Sequence, residues 1–458
     1  MKIPSKTLNN DTPATPEKSL QSRAFQAGGV AVIGFVVSQV IRLGSNLLMT
    51  RLLLPESFGL MAIAISLQIL LINLSDIGLS QSLVRSQSSN DPKFLSTVFV
   101  TQIARGIILG VVLLIFAALT YPIAQSNILP SDSIINDPRL PIFIVVTAFM
   151  VFLEGFKSLK FSLCQRDLNL AKLTILEISA QIVGLVCMVS SFFMGAGPYA
   201  LLVGMTTATL TNVIGSYLAL PGPAMEFKFY KHHFNEIFAF GKWLILASLL
   251  GFLMQRGDQF IFGAIMDKSE FGLYTVATMW IMIATTLADA VLMRIAYPSF
   301  SETWRKDPQE MTKIYNMFRL SLDIGAVLIF AGLFLLGDFV FSIIYADSFS
   351  GVIYYLKLIS VIILLLPYRL INITILASGH SKNFLNATIA PALMVMIGIP
   401  LVYQLVGLKA AIVFGALNYL PTLPVAWYNS RKLIKVSWAR ELPLAIFAVI
   451  AAILIISN

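Results

Sequence analysis

The chain has 458 residues, of which 57% are hydrophobic and 12% are charged, and its formal net charge is +9. Soluble domains carry about 25% charged residues, so this composition excludes an ordinary soluble protein and indicates many membrane-spanning helices. The basic residues are scattered in short clusters between apolar runs, which argues against nucleic acid as a partner. The two cysteines, Cys164 and Cys187, show no metal-ligand spacing.

Residues 1–23 are polar, contain three prolines and lack the apolar stretch of a signal peptide. They are predicted to be a disordered cytoplasmic tail. From Ala24 onward, apolar windows long enough to cross a bilayer follow one another closely. Thirteen spans are predicted, near 26–50, 57–80, 94–120, 141–161, 169–193, 198–220, 239–264, 271–296, 314–345, 352–377, 384–406, 408–429 and 441–457.

The distribution of basic residues predicts the orientation of these spans. The tail and alternate loops hold 23 of the 32 Lys and Arg residues, and five more lie within helices. The opposite loops hold only the remaining four, which are Arg51, Arg139, Lys268 and Lys409. Because cytoplasmic loops are enriched in Lys and Arg, we expect a cytoplasmic N-terminus and a location in the cell inner (plasma) membrane.

Two short patterns recur along the chain with nearly the same offset, 213 residues for the first and 210 for the second. The matching residues are Phe58-Gly59-Leu60 with Phe271-Gly272-Leu273, and Gly197, Ala200 and Val203 with Gly407, Ala410 and Val413. The recurrence predicts two homologous six-helix lobes. Since six is even, both lobes enter the membrane in the same direction.

The predicted fold is therefore an all-α integral membrane protein. Two parallel six-helix bundles are related by a pseudo-twofold axis along the membrane normal, with a thirteenth helix outside the repeat. The predicted division is a tail at 1–23, lobes at 24–222 and 237–430, a cytoplasmic linker at 223–236, and a basic loop with the extra helix at 431–458.

Four equivalent helices of the two lobes, the first, second, seventh and eighth, carry polar or charged side chains on one face. Lipid satisfies neither charges nor hydrogen bonds, so these faces are expected to line a polar cavity between the lobes. The candidate substrate-binding residues are Arg42, Asn46, Asp76, Arg256, Asp258, Gln259 and Asp289.

An anionic substrate fits the two arginines of this set. Arg presents a planar fork of donors that binds phosphate in a bidentate manner, so Arg42 and Arg256 are predicted to hold a diphosphate. With the inside negative, outward movement of one negative charge gains about 2.3 kcal/mol per 100 mV. The sequence has no GxxxxGK[ST] phosphate-binding loop, and we expect no cofactor and no metal.

Several stretches, in order, resemble the polysaccharide-transporter branch of the multidrug/oligosaccharidyl-lipid/polysaccharide exporter superfamily, which includes Wzx-type flippases. They are PESFGL, IGLSQSLVRS, LCQRDLNLAK and RGDQFIFGAIMDKSEFGLYTVAT. The resemblance covers about residues 24–430. It implies a flippase that moves a polyprenyl-diphosphate-linked oligosaccharide to the outer leaflet by alternating access, for O-antigen or exopolysaccharide synthesis. It implies membrane lipids as partners, and makes glycan polymerases or glycosyltransferases candidate partners.

Other interpretations remain open at this stage. Arg42 with Asp76, or Arg256 with a carboxylate of a neighbouring helix, would be a structural ion pair, and Arg369 would extend toward the cytoplasmic edge. The protein would instead be a cation or drug antiporter of the same superfamily if a cavity carboxylate lacked a basic partner. It would be a membrane glycan polymerase if the outward loop near residues 121–140 carried catalytic groups.

Overall fold

The computed structural model describes residues 20–75, 79, 91–125, 129–167, 169–223, 226–379, 389–431, 434 and 438–457. Within these ranges the chain is helical, apart from short turns and an isolated bridge between Ser133 and Asp267. Most of the predicted tail and the candidate residue Asp76 lie outside them. The described chain is an all-α membrane protein, as the composition predicts.

In the described ranges, the N-terminal half contains seven α-helices. They are α1 (Leu20–Thr50), α2 (Pro55–Leu74), α3 (Pro92–Gln125), α4 (Leu140–Gly155), α5 (Lys160–Arg166), α6 (Leu170–Ser191) and α7 (Ala200–Leu218). Proline at the first position of α2 costs no hydrogen bond there, because that N–H has no helical partner. Gly195 and Gly197 have positive φ values of 93° and 52°, which let the chain turn sharply between α6 and α7.

Of the C-terminal half, the structure describes eleven helices, several of them short. They are α8 (Lys231–Ile265), α9 (Lys268–Val291), α10 (Tyr297–Lys306), α11 (Met311–Ile344), α12 (Val352–Ile359), α13 (Val361–Leu365), α14 (Arg369–Ala377), α15 (Ile389–Val406), α16 (Leu408–Ala416), α17 (Thr422–Ser430) and α18 (Trp438–Ser457). Asp267 caps α9, because its side chain accepts a hydrogen bond from the Ser269 amide at 2.8 Å.

Helix occupies the described part of each of the thirteen predicted segments. In these ranges nine helices are long and apolar enough to cross a membrane, and ten if α4 and α5, bent by 64°, count as one span. The run Leu170–Leu218 contains two predicted segments. Of the two remaining segments, the one at 239–264 includes residues whose side chains the structure does not describe, and the one at 408–429 is broken between α16 and α17.

Two predicted boundaries differ from the structure. Helix α1 begins at Leu20, inside the predicted tail 1–23, and α8 begins at Lys231, inside the predicted linker 223–236. Both segments are polar, so composition alone suggested a loop. Each is continuous with a long apolar helix, and adding residues to an existing helix is far less costly than starting a new one.

The two halves meet along α2, which packs against both α8 and α9. At this contact the recurring triplets lie against each other. A Cβ on Gly59 would come within 3.0 Å of the Phe271 ring, and a Cβ on Gly272 would overlap the backbone of Pro55. Only glycine fits at position 272, whereas a Cβ at position 59 would require a small shift of the Phe271 ring. Contact between equivalent residues is expected close to a twofold axis, so it is consistent with the predicted symmetry.

Helix α18, which forms the last of the thirteen predicted spans, is joined to the rest of the C-terminal half by a buried ionic cluster. Arg319 of α11 is completely buried and lies 2.9 Å from Asp323 and 3.2 Å from Glu441 of α18. Tyr315 donates to the Glu441 carboxylate at 2.7 Å, and the Tyr368 ring lies 3.8 Å from the Arg319 guanidinium carbon. These contacts, together with apolar packing on α13 and α16, hold α18 against the bundle.

Candidate functional site

A cavity of about 480 Å³ lies between the two halves. The N-terminal half contributes residues of α1, α2, α6 and α7, and the C-terminal half contributes residues of α8 and α9 together with Tyr345. Both predicted phosphate ligands, Arg42 and Arg256, line it, and so does Asn46. The structure therefore brings together, in one cavity, an arginine from each half.

Neither arginine forms an ion pair with a carboxylate among the described residues. Arg42 is exposed on α1, and among the described residues its side chain has no ion-pair or hydrogen-bond partner. Arg256 donates to the Met282 sulfur at 2.8 Å, which is a weak acceptor, and it too has no carboxylate within ion-pair distance in the described part of the chain. Both guanidinium groups are thus available to an anion that enters the cavity.

One end of this cavity is closed by contacts between the halves. We call it the Glu56 end, because it carries Glu56, residues 129–139 and the turn between α8 and α9. The Ser133 hydroxyl donates to the Gly263 carbonyl at 2.9 Å, and the Lys268 amide donates to the Asp132 carbonyl at 3.1 Å. Arg51, at the end of α1, donates to the Ile343 carbonyl of α11 at 3.2 Å.

An ionic cluster reinforces the closure. Arg139 lies 2.7 Å from Asp137 and 2.6 Å from Glu56, and the Lys268 ammonium lies 3.7 Å from Asp137. Burial alone would raise the pKa of Asp137, but hydrogen bonds from Arg139 and the two nearby positive charges outweigh it, so the pKa falls below its ordinary value. The pKa of Arg139 is raised, chiefly by its hydrogen bond to Asp137. Asp137 is therefore a carboxylate that supports the junction between the halves.

Away from the Glu56 end the helices are less closely packed. The buried residues of α9 extend from Phe271 to Ile281, whereas the residues from Met282 to Val291 are half-buried or exposed. Met282 and Thr286, in this second stretch, line the cavity. The cavity thus lies where the tight packing of α9 gives way to a looser arrangement.

The other three described candidates line a second cavity of about 220 Å³, inside the C-terminal half. Asp258 accepts a hydrogen bond from the Tyr274 hydroxyl. Gln259 is buried, and Asp289 lies 2.7 Å from Arg369. Arg256 lines both cavities. Sequence reasoning placed all of these residues in one site, whereas the structure divides them between two adjacent cavities that share Arg256.

Arg369 forms an ion pair with Asp289, a partner that the sequence analysis did not predict. Its guanidinium also lies 5.4 Å from the Tyr419 ring centroid, so it is held inside the C-terminal half. Arg369 begins α14, directly after a short 3-10 turn at Leu366–Tyr368. As substrate ligands, the seven candidate residues remain a prediction, and Asp76 lies outside the described residues.

Sequence reasoning also missed residues that line the cavity between the halves. Gln181 donates to the Ser38 hydroxyl at 2.6 Å, and Trp280 donates to the Tyr345 hydroxyl at 2.8 Å. Gln181 is the only glutamine of α6, and a single amide in an apolar helix was a usable indication. Trp280 is preceded by Met279 and followed by apolar residues, so its sequence context gave no such indication.

Residues 48–354, well over half of the chain, match the family described as polysaccharide biosynthesis protein. The chain belongs to this family. The resemblance to polysaccharide transporters is thereby confirmed at the level of the family.

Two curated relatives are similar to this member of the family. The lipopolysaccharide biosynthesis protein WzxC of Escherichia coli is 21% identical over 76% of this chain and 68% of its own length. The succinoglycan biosynthesis transport protein ExoT of Rhizobium meliloti is 20% identical over 56% of this chain and 49% of its own length. The chain thus spans about two thirds of the first relative and half of the second.

Solved structures show the same fold. The lipid II flippase MurJ, in an inward closed conformation, has a TM-score of 0.66 at 13% identity, and the match covers 93% of this chain and 96% of that one. A multidrug resistance MATE transporter of the MOP superfamily, facing inward, has a TM-score of 0.56 at 16% identity over 92% and 96%. The fold is therefore that of a multi-pass membrane protein of this transporter type.

Proposed function

We propose that this protein is a flippase that moves a polyprenyl-diphosphate-linked oligosaccharide from the cytoplasmic to the outer leaflet of the inner membrane, for O-antigen or exopolysaccharide synthesis. The observation that carries the proposal is the pair Arg42 and Arg256. They come from different halves, line one cavity, and have no carboxylate partner among the described residues. A diphosphate would supply the acceptor oxygens that their guanidinium groups lack.

The names of similar proteins support this assignment. WzxC is named for lipopolysaccharide biosynthesis, ExoT for succinoglycan transport, and MurJ for flipping lipid II. In this proposal the diphosphate binds between Arg42 and Arg256, the glycan occupies the cavity, and the lipid chain stays in the bilayer. Lipid-linked oligosaccharide and membrane lipids are then the partners, and glycan polymerases or glycosyltransferases would act before or after the transport step.

Closure at the Glu56 end supports alternating access. In the proposed orientation, with the N-terminus in the cytoplasm, this end faces outward and the described conformation is closed to the outside. Opening would separate Ser133 from Gly263 and Lys268 from Asp137. A cavity reached from one side at a time permits transport without a continuous pore, and the membrane potential favours outward movement of the anion.

Two other functions fit the cavities less well. A cation antiporter would need a cavity lined by carboxylates and free of arginine, because a positive charge repels a cationic substrate. Arg256 lines both cavities. A glycan polymerase would need free catalytic groups in the outward loop near residues 121–140. In the described part of that loop, Asp137 and Arg139 are engaged with each other and with Glu56.

Transport by purified protein in proteoliposomes tests the proposal. The protein should translocate an undecaprenyl-diphosphate-linked oligosaccharide, and the variants Arg42→Ala and Arg256→Ala should each lose at least about tenfold in rate, since each removes a charge-assisted contact worth about 1.5–3 kcal/mol. Arg305→Ala, at an exposed position on α10, is the matched control and should transport normally. Translocation of a cationic dye, with none of the lipid-linked glycan, would contradict the proposal.

A disulfide at the Glu56 end tests alternating access in the same assay. Ser133 and Asp267 form an antiparallel bridge, which places their Cα atoms at the separation that a disulfide requires. In a background without Cys164 and Cys187, the double variant Ser133→Cys with Asp267→Cys should stop transport when oxidised and regain it on reduction. Full transport by the oxidised protein would exclude opening at this end.

A further inference from the structure

The chain between α7 and α8 connects the two halves of the protein, and part of it packs against the beginning of α3. Residues 226–230, which we call the connecting segment, are extended. The Phe227 ring contacts that of Phe99, with centroids 5.3 Å apart, and the Tyr230 amide donates to the Thr97 hydroxyl at 3.2 Å. The connecting segment therefore has a defined position on α3.

The connecting segment crosses the side of α3 that faces the surrounding membrane. At about 100° per residue, Thr97 lies within about 20° of Ala104, Ile108 and Ile115 around the helix. These three residues are exposed, as expected of positions in contact with lipid, whereas Thr97 is fully buried. Thr97 is covered on this otherwise open side, where its hydroxyl accepts the Tyr230 amide.

The contact lies at the level of a membrane interface. Tyr121, near the other end of α3, is exposed, and tyrosine is enriched at membrane interfaces. About 30 Å of hydrocarbon corresponds to about 20 residues of helix, which places the opposite boundary near Thr101. Thr97 and Phe99 are then about 3–6 Å outside the hydrocarbon, at the level of the lipid headgroups. In the proposed orientation these headgroups belong to the cytoplasmic leaflet.

The connecting segment presents two aromatic rings at this level. Phe227 and Phe229 are 72% and 52% exposed, and Phe229 contacts Phe234 in the first turn of α8, with centroids 5.5 Å apart. Phenylalanine anchors peripheral segments in the interface because its ring leaves water for the boundary between headgroups and acyl chains. The exposed rings therefore favour a membrane surface, and not bulk water, as their surroundings.

Unpaired cations lie beside these rings. The Lys93 ammonium lies 5.8 Å from the centroid of the Tyr230 ring, and Lys231 follows Tyr230 directly in the chain. Both lysines are exposed, and neither forms an ion pair with a carboxylate among the described residues. Basic residues at the cytoplasmic surface attract anionic lipids, so the two ammonium groups complement a headgroup phosphate.

The described acidic residues nearby are already engaged by the protein. Glu226 lies 2.8 Å from the Lys228 ammonium. Asp91 accepts a hydrogen bond from the Lys93 amide at 2.9 Å and lies 3.6 Å from His233. The Lys93 and Lys231 ammonium groups therefore remain available to an anion from outside the chain.

We propose that the connecting segment is a binding site for anionic phospholipid of the cytoplasmic leaflet. Lys93 and Lys231 contact the headgroup phosphate, and Phe227 and Phe229 insert between the headgroups. Because Lys231 begins α8, the helix that carries Arg256, a bound lipid restrains the end of a helix that lines the cavity. The site is separate from that cavity. The inference uses the orientation given in the proposed function but not its substrate.

Titration of purified protein with fluorescent phosphatidylglycerol, and with the matching phosphatidylcholine, tests the charge of the site. Wild-type protein should prefer phosphatidylglycerol. Lys93→Gln with Lys231→Gln should lower its affinity for phosphatidylglycerol about thirtyfold, since each lysine contributes about fivefold, and should leave phosphatidylcholine unaffected. Lys306→Gln with Lys313→Gln is the matched control, because it removes two exposed lysines of the C-terminal half, and it should keep the wild-type preference.

Two results of this titration would overturn the proposal. Equal affinity of the wild type for both lipids would exclude a site for anionic lipid. An equal loss of affinity in both double variants would show that phosphatidylglycerol responds to the overall charge of the protein and not to the connecting segment.

Fluorescence quenching tests the position of the rings separately. In a background without Cys164 and Cys187, a label on Phe229→Cys should be strongly quenched in vesicles of phosphatidylcholine that carries a nitroxide on its headgroup. The same label on Lys306→Cys, at the exposed end of α10, should be quenched much less. Equally weak quenching would place the connecting segment in water, open to a soluble partner, and would overturn the proposal. Neither measurement uses a lipid-linked glycan, so failure of the flippase function would leave both results unchanged.

Discussion

Arg42 and Arg319 are both arginines within long apolar helices, but their surroundings are opposite. Arg319 is fully buried between two carboxylates and an aromatic ring, all contributed by the C-terminal half. Arg42 faces a cavity between the halves and has no such partner among the described residues. A buried charge is tolerated when its neighbours compensate it, so Arg319 stabilises the fold, whereas Arg42 retains unused capacity to bind an anion.

Arg369 and Arg256 show the same contrast within one half of the protein. Both line the smaller cavity, but Arg369 is paired with Asp289 at 2.7 Å, whereas Arg256 donates to the Met282 sulfur and forms no ion pair with a described residue. The presence of an arginine in a cavity therefore does not make it a ligand for substrate. An arginine of the cavity is a candidate substrate ligand when its guanidinium group is not already paired with a carboxylate of the protein.

The largest effect on stability is expected at Arg319. The change Arg319→Leu leaves Glu441 buried without its counter-charge, and breaking a buried pair in this way costs about 3–5 kcal/mol. The apparent melting temperature of the purified protein should fall sharply, and Arg319→Leu with Glu441→Leu should recover much of the loss. Arg42→Leu is the matched control and should leave the melting temperature nearly unchanged. An equal fall in melting temperature for Arg319→Leu and Arg42→Leu would show that the two arginines do not differ in their contribution to stability.

An intermediate effect is expected at the pair Asp289 and Arg369. Their side chains are 44% and 18% exposed, so solvent weakens the interaction, and losing one partner should cost about 1–2 kcal/mol. The double variant Asp289→Leu with Arg369→Leu should be more stable than either single variant and should still transport. If the double variant folds normally but cannot transport, the pair belongs to the substrate site and is not merely structural.

An effect no larger than this is expected at the Glu56 end, where acid should lower the stability. The lowered pKa of Asp137 means that its contribution is fully present above about pH 4, its ordinary pKa, and is lost as the pH falls through the lower value in the folded protein. Asp137→Asn should cost about 1–2 kcal/mol at neutral pH and should flatten the acid side of the stability profile. If Asp137→Asn loses stability at low pH as the wild type does, other carboxylates control the acid sensitivity.

Much of the fold could be predicted because hydrophobic length is a local property. Each apolar window contains helix where the structure describes it, and the recurring triplets at Phe58 and Phe271 do meet at the contact between the halves. Broken spans were not predicted. At Pro367 the α-helix changes to a 3-10 turn, and a non-helical turn separates α16 from α17. Both positions lie inside long apolar runs, where hydropathy stays high and gives no indication of the change.

The candidate site was only partly predictable, for a related reason. Helical spacing indicated that Arg42 and Arg256 face inward, and both line the cavity between the halves. Spacing within a helix gives no information about which other helix lies opposite. The contact of Asp289 with Arg369, 80 residues later, and the division of the candidates between two cavities follow from how the helices pack.

The central claim is that Arg42 and Arg256 bind the diphosphate and do not merely balance a charge of the protein. The most direct measurement is the affinity of purified protein for undecaprenyl diphosphate in wild type, Arg42→Ala, Arg256→Ala and Arg42→Ala with Asp76→Ala. Each single variant should bind at least about tenfold more weakly, since it loses a charge-assisted contact. Arg→Lys should retain part of the affinity, because the charge remains but the bidentate geometry is lost. Asp76→Ala should not rescue Arg42→Ala. Wild-type affinity in that double variant would show that Arg42 only neutralises Asp76, and would contradict the claim.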